Sequence, residues 1–261
     1  MVIDSHVHSR FSYDGHDTIS ALLEGAIAEG VDVLTVTDHC DIRSHRNGHE
    51  PYFASLEERR RALLAARQAL GDPLVVLDGI ELGDIGNGPE LALSHLNSYP
   101  YDFVLGSVHH ALDGSPVDIY RDDPHMVVEL YFMELERMVE WGHFDSLAHL
   151  DYPIFLWKAP GPTFRRFEAQ INRVLKRLAE QGKALEVNAS GLFRDVGRVG
   201  PEPWVLERFK EYGGRYITVG SDSHWAKDIG RGITEAYEVI RQAGFDQIVY
   251  YRSRVPVTVK I

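Results

Sequence analysis

The sequence predicts an α/β fold whose parallel strands close into a barrel. Short apolar runs alternate with amphipathic stretches along all 261 residues. Several of those runs are nearly continuous in apolar residues, as strands covered on both faces must be. No shift in composition divides the chain. Residues 1–261 are therefore expected to form a single domain, and seven or eight βα units favour a closed barrel over an open sheet.

Strands are expected at 2–7 (VIDSHV), 32–37 (DVLTVT), 74–80 (LVVLDGI), 102–108 (DFVLGSV), 144–149 (FDSLAH), 184–188 (ALEVN) and 215–220 (RYITVG), with a further candidate at 247–251 (QIVYY). Helices fit between them. In 18–29, Ile19, Leu22, Leu23, Ala26 and Ile27 follow helical spacing behind Asp17 or Thr18 as a cap. Residues 55–70 read as a charged surface helix opened by Ser55, with acidic residues in its first turn. Periodic stretches follow at 125–141 and at 165–181, where Phe164, Phe167, Ile171, Val174, Leu175 and Leu178 form one stripe. Two more fit 202–212 and 229–243. Gly30, Gly71, Gly182, Gly213 and Gly244 stand where helices should stop. Residues 41–53 and 150–163 read as long loops.

Lys plus Arg number 27 against 39 Asp plus Glu, a formal net charge of −12. An acidic surface repels phosphate backbones, so nucleic-acid binding is not expected. A small anionic substrate is still allowed, because a metal cluster inverts the local field. Cys40 is the only cysteine, which rules out an intrachain disulfide and suits a reducing compartment. No apolar run approaches the roughly 20 residues of a membrane span, and no stretch resembles a signal peptide. The expected location is the cytoplasm. Oligomeric state is left open.

The anomaly in the composition is histidine, with 13 residues. The chain opens MVIDSHVHSRFSYDGHD. Alternate strand residues share a face, so His6 and His8 would point together. Taken alone, the pair reads equally as two buried imidazoles bonded to carbonyls or as a metal pincer. The other strand ends decide. T-D-H ends the second strand (Asp38, His39), G-I-E-L-G the third (Glu81) and G-S-V-H-H the fourth (His109, His110). A-H-L-D ends the fifth (His149, Asp151), E-V-N-A-S-G the sixth (Asn188) and G-S-D-S-H the seventh (Asp222, His224). The carboxyl ends of barrel strands are where such folds keep their chemistry. Imidazole and carboxylate without thiolate suit Zn²⁺, Mn²⁺ or Fe²⁺ in a reactive site. The ligands are too many for one ion and enough for two or three, with Glu81 able to bridge. Clustered metals activate water and neutralise oxyanions, which suits phosphoester hydrolysis.

The motifs D-S-H-V-H, T-D-H, G-I-E, G-S-V-H, H-L-D, V-N-A-S-G-L-F-R and G-S-D-S-H, in this order over almost the whole chain, resemble the polymerase-and-histidinol-phosphatase (PHP) family, and within it the histidinol-phosphate phosphatases. The resemblance implies a distorted seven-unit (β/α)7 TIM-like barrel, a site of two to three divalent ions (Mn, Fe or Zn), and hydrolysis of a small phosphorylated substrate, L-histidinol phosphate, in histidine biosynthesis. It implies His6, His8, His39, Glu81, His109, His149, Asp222 and His224 as metal ligands. Asp14, six residues after His8, stands where many family members have a ligating His. Glu81, Asp222 and His224 are the residues expected at the reacting centre.

Phosphate recognition calls for a guanidinium, and Arg194 is the best placed. Lys158, Arg165 and Arg198 are weaker candidates. Asn188 is expected to face substrate, and His110 to face substrate or to support a ligand. Asp38 reads as a supporting group, Asp151 as holding a ligand or capping a turn, Cys40 as a small buried residue and His16 as a turn residue. His45, His49, His95, His125 and His143 lie off the pattern and read as surface groups. Rival readings are a phosphoesterase of this family with another substrate (broad phosphomonoesters, phosphotyrosine or short oligonucleotides), an amidohydrolase-type metal hydrolase and a non-catalytic barrel. The amidohydrolase would want a bridging lysine on strand four, where this chain has His109.

Overall fold

The computed structural model describes residues 1–42, 52–53, 56–71, 73–86, 88–110, 123–153 and 161–261. Nine strands, β1 (Ile3–Val7), β2 (Val33–Val36), β3 (His39–Asp41), β4 (Tyr52–Phe53), β5 (Val75–Gly83), β6 (Phe103–Ser107), β7 (Ser146–Leu147), β8 (Ala184–Asn188) and β9 (Ile217–Gly220), make the main sheet. Its path runs β1-β2-β5-β6-β7-β8-β9, parallel throughout. The sheet nearly closes on itself. The Asp222 amide donates to the carbonyl of His6, and the His8 amide to that of Ser223, each at 2.8 Å. Helices α1 (Ile19–Ala28), α2 (Leu56–Leu70), α3 (Pro89–Ser98), α4 (Pro124–Trp141), α5 (Glu168–Glu180), α6 (Pro203–Glu211) and α7 (Ile233–Gln242) surround it.

Local chemistry accounts for most boundaries. Thr18, rather than Asp17, caps α1: its hydroxyl accepts from the Ala21 amide at 3.2 Å, while Asp17 accepts from Ala226 across the chain. Asp123 caps α4, Pro124 opens it, and Gly142 ends it at φ 70°. Ile171, Val174, Leu175 and Leu178 are the buried stripe of α5; Phe164 and Phe167 precede it on a 3₁₀ turn rather than in the helix. The five glycines expected at helix ends all take positive φ, a conformation costly for a residue with a Cβ. Ser55 lies outside the described residues.

The departures from the expected pattern have physical reasons. β7 has two residues instead of six; at its C-terminal end, beyond Ala148, the amide of His149 leaves the ladder for the Glu186 carboxylate at 2.8 Å. The second strand breaks after Val36 and resumes as β3 against β5. The described part of 41–53 holds β4, which pairs with β3. α3 buries only Ala92 and His95, so it lacks the apolar stripe that reveals a helix. His95 is therefore no surface group: it is 9% exposed, and its Nε2 meets the Tyr101 hydroxyl at 3.0 Å.

The candidate strand at 247–251 is β10 (Gln247–Arg252), and it is not part of the barrel. It pairs antiparallel with β11 (Val255–Lys260). The turn uses Ser253 and Arg254 at φ 50° and 65° without the glycine or asparagine that usually marks such a turn. Tertiary bonds hold it instead: the Ser253 and Arg254 amides both bond Asp102, and the Arg254 guanidinium bonds Asp145 and the His143 carbonyl. Asp102 and Asp145 immediately precede β6 and β7, so the hairpin covers the end where the strands begin. Val249 and Tyr251 pack there with Phe103, Leu105, Ala148 and Ala184. The opposite mouth, where the strands end, is left for the site.

Candidate metal centre

Glu81, at the C-terminal end of β5 and 1% exposed, is the hub. Its Oε1 faces His149 Nε2 at 2.9 Å and His109 Nε2 at 3.2 Å. Its Oε2 faces His39 Nδ1 at 3.0 Å, His6 Nε2 at 3.3 Å and His8 Nε2 at 3.4 Å. The two oxygens thus look into two different nests of imidazole nitrogen. Asp222 closes the second nest, with Oδ1 3.5 Å from His6 Nε2 and 3.4 Å from His8 Nε2. A third group lies at the rim: His224 stacks on His8 with centroids 4.2 Å apart, and Asp14 sits between His224 Nε2 (3.2 Å) and His39 Nε2 (3.5 Å).

Close backbone approach makes this possible. A Cβ on Gly220 would lie 2.3 Å from His6 Cβ and 2.8 Å from Glu186 Oε1, so β9 reaches β1 only because residue 220 is glycine. Asp222 then turns at φ 55°, a left-handed conformation that aspartate tolerates better than most residues.

Several buried carboxylates hold the imidazoles from behind. Glu186 Oε1 meets His6 Nδ1 at 2.7 Å. Asp41 Oδ1 faces His109 Nδ1 at 3.4 Å. Asp84 Oδ1 accepts from the amides of His109 (2.7 Å) and His110 (3.0 Å), and its other oxygen bonds His110 Nδ1. Sequence reading missed Asp41, Asp84 and Glu186. They stand in or beside strands, and only the closed sheet brings them to the histidines.

The charges are those of a cation site. Burial favours neutral imidazole at His6, yet the charges of Glu186, Asp222 and Glu81 outweigh it and hold the pKa well above normal. Burial is likewise outweighed at His39, where Glu81 and Asp14 lift the pKa to about 10. His8 goes the other way, to about 3, through burial and the charges of His224 and His39. Burial would raise Glu81, but His39, His6 and His109 hold it well below the carboxylate range.

The donor set fits metal ions. Ligand atoms of His6, His8 and Glu81 lie within 4.8 Å of one another, as do those of Glu81, His109 and His149, of His39, Asp41 and His109, and of His8, His39 and His224. Among the described residues, the buried Glu81 Oε2 and His39 Nδ1 make no well-formed hydrogen bond although they stand 3.0 Å apart, and the buried His149 Nδ1 has no hydrogen-bond partner. The Nε2 atoms of His6 and His8 are 3.0 Å apart, and both Nδ1 atoms are engaged from behind. Buried polar atoms left unsatisfied and convergent in this way are costly unless a cation joins them.

Residues 4–190 match the PHP domain family. The chain belongs to the PHP family. Along the whole of both chains it is 29% identical to a protein of Thermotoga maritima named "Probable histidinol-phosphatase". It is 28% identical to the "Histidinol-phosphatase" of Lactococcus lactis subsp. lactis, covering 95% of this chain and 94% of that one. The fold matches the crystal structure of histidinol phosphate phosphatase from Lactococcus lactis subsp. lactis, solved with Zn, L-histidinol and phosphate, at a TM-score of 0.82 and 25% identity over 98% of each chain.

Around the PHP centre, a cavity of about 200 Å³ opens beside Asp222 and His224 and is also lined by Arg194, Phe193, Trp225 and Arg231. Arg194 is brought there by the 3₁₀ turn Ser190–Phe193. The rival guanidinium groups are engaged elsewhere: Arg198 bonds Asp151 at 3.0 Å, and Arg165 lies over Trp204. Lys158, His45 and His49 lie outside the described residues. Asn188 is fully buried, and its amide reaches Asp222 Oδ2 (3.3 Å) and Glu186 Oε2 (3.2 Å). His16 stacks on Trp225 at 3.7 Å. Cys40 is buried in β3. Among the described residues, no helix is long and apolar enough to cross a membrane.

Proposed function

We propose that this chain is a metal-dependent phosphomonoesterase that hydrolyses L-histidinol phosphate to L-histidinol and phosphate, a step of histidine biosynthesis in the cytoplasm, acting as one domain. The observation that carries the reading is Glu81, whose two oxygens face separate clusters of imidazole nitrogen beside a cavity holding Arg194. The named relatives and the Lactococcus structure with histidinol and phosphate support the substrate.

Two to three divalent ions (Zn, Mn or Fe) would be held by His6, His8, Asp14, His39, Glu81, His109, His149, Asp222 and His224. Zinc in the Lactococcus structure favours that metal. Bound there, the ions supply an activated water and neutralise phosphate charge. The chain's own residues do the rest. Arg194 binds the non-bridging oxygens with its fork of donors and follows their charge into the transition state. Asp222 or a neighbouring histidine at the cavity wall would hand a proton to the leaving oxygen as the P–O bond breaks. His224 and Asp14 order the outer wall. A formal charge of −12 keeps polynucleotides away from a site that a small phosphate ester enters.

The test is phosphate release by the metal-reconstituted protein, with histidinol phosphate beside p-nitrophenyl phosphate, phosphotyrosine and a short oligonucleotide. The reading expects histidinol phosphate to give the highest kcat/KM. A preference for any of the others, or no release with Zn²⁺, Mn²⁺ or Fe²⁺, would overturn it.

A further inference from the structure

The largest fully buried side chain among the described residues is an arginine. Arg59, near the start of α2, is 1% exposed. Its Nε donates to Asp38 Oδ2 at 2.6 Å, one terminal nitrogen to Asp78 Oδ1 at 2.5 Å, and the other to the carbonyls of Val36 and Gly79 at 2.7 and 2.8 Å. Arg59 touches neither the histidine cluster nor the cavity beside Arg194.

Its bonds lead to the metal centre. Asp38 Oδ1 accepts from the Ser9 amide at 2.7 Å and from the Ser12 hydroxyl at 3.1 Å. Ser12 Oγ in turn accepts the His39 amide at 3.0 Å and lies 3.0 Å from His8 Nδ1. A hydroxyl has one proton to give, and a carboxylate only accepts. Ser12 therefore gives its proton to Asp38 and can only accept from His8. The proton of neutral His8 must sit on Nδ1, leaving the lone pair of Nε2 directed at the cluster of Glu81, Asp222 and His6.

We propose that Arg59 is a positioning residue for His8, acting through Asp38 and Ser12 to fix the imidazole tautomer whose Nε2 can hold a metal ion. The guanidinium holds one oxygen of Asp38 and leaves the other for Ser9 and Ser12. The inference rests on the reading of His8 as a ligand. If Arg59 merely pins α2 to the sheet, Arg59→Lys should leave the zinc affinity and the His8 tautomer as they are in the parent.

The experiment loads zinc into the full chain and into Ser12→Ala, Ser12→Thr, Asp38→Asn and Arg59→Lys, and measures zinc affinity by chelator competition and the His8 tautomer by ¹⁵N chemical shifts. Loss of a partner behind a ligating imidazole weakens metal binding by about 10- to 100-fold. That loss is expected for one ion in Ser12→Ala and Asp38→Asn, with the Nδ1–H signature of His8 weakened and with rescue by Ser12→Thr. Ser12 also receives the His39 amide, and the shift at His8 separates the two effects. Arg59→Lys, which gives charge without the fork, should fall between parent and Asp38→Asn. Ser12→Ala and Asp38→Asn proteins with the parent's affinity and His8 tautomer would overturn the proposal, whether or not Arg59→Lys folds. A parent protein that takes up no zinc would overturn the ligand reading as well, and is distinguishable on that ground.

Discussion

Glu186 Oε1 lies 2.7 Å from Nδ1 of His6, while its other oxygen accepts the backbone amide of His149 at 2.8 Å. One buried carboxylate thus orients a ligand candidate on β1 and fixes the chain that carries another after β7. Glu186→Gln keeps the shape but has one acceptor where two are used. Zinc affinity is expected to fall about 10- to 100-fold, with circular dichroism unchanged. Titration against a chelator checks it; the parent's affinity in the variant would leave Glu186 a packing residue.

Glu81→Ala removes the group shared by both imidazole clusters. The variant should retain its fold, lose metal content and lose kcat by at least about 10³-fold, equivalent to ~4 kcal/mol. Elemental analysis and steady-state kinetics decide it. Near-normal kcat with full metal content would show that Glu81 bridges nothing.

Asp14→His should stay folded and metal-loaded, because residue 14 lies at the rim between His39 and His224. Replacing oxygen by imidazole is expected to change which ion best restores activity. Activity profiles across Zn²⁺, Mn²⁺ and Fe²⁺ that match the parent would remove Asp14 from the ligand set.

Arg194→Ala is expected to lower kcat/KM for histidinol phosphate by roughly 10- to 1,000-fold, or about 1.4 to 4 kcal/mol, with metal content intact. Lysine should rescue only in part. Unchanged kcat/KM and unchanged inhibition by inorganic phosphate would make Arg194 a solvent-facing loop residue.

Removal of metal should expose a pH dependence that the loaded protein lacks. In the metal-free chain the pKa of His39 is raised to about 10 by Glu81 and Asp14 against the effect of burial. A raised imidazole pKa contributes stability in full below its unfolded value of about 6.5 and loses it as pH climbs to the folded value. The Tm of the chelated protein should therefore fall between about pH 6.5 and 10. A bound ion replaces the proton, so the loaded protein should stay flatter over that window and melt higher throughout. Parallel thermal melts across pH provide the check.

Much of the site was legible because its ligand candidates are local features of the chain. A barrel places each strand's last residues at one mouth, so H-x-H, T-D-H, G-I-E, S-V-H, H-L-D and S-D-S-H converge wherever the strands close. Helix ends were legible for a similar reason, since Thr18 caps and Gly30 turns within a few residues of what they terminate. Residues whose meaning depends on remote partners were not legible. Glu186 is 180 positions from His6, and Asp41 and Asp84 acquire roles only when β3, β5 and β6 stand in register. Arg59 reads in sequence as one more charge on a surface helix; packing of α2 buries it and joins it to Asp38. β10 has the composition of an eighth barrel strand, and the bonds of Ser253 and Arg254 to the bases of β6 and β7 make it a plug instead. Sequence determines which side chains stand at strand ends, because that takes only short-range periodicity. Tertiary structure decides which nitrogen of each imidazole stays free and which carboxylate stands behind it, because hydrogen bonds reach about 3 Å and depend on strand register.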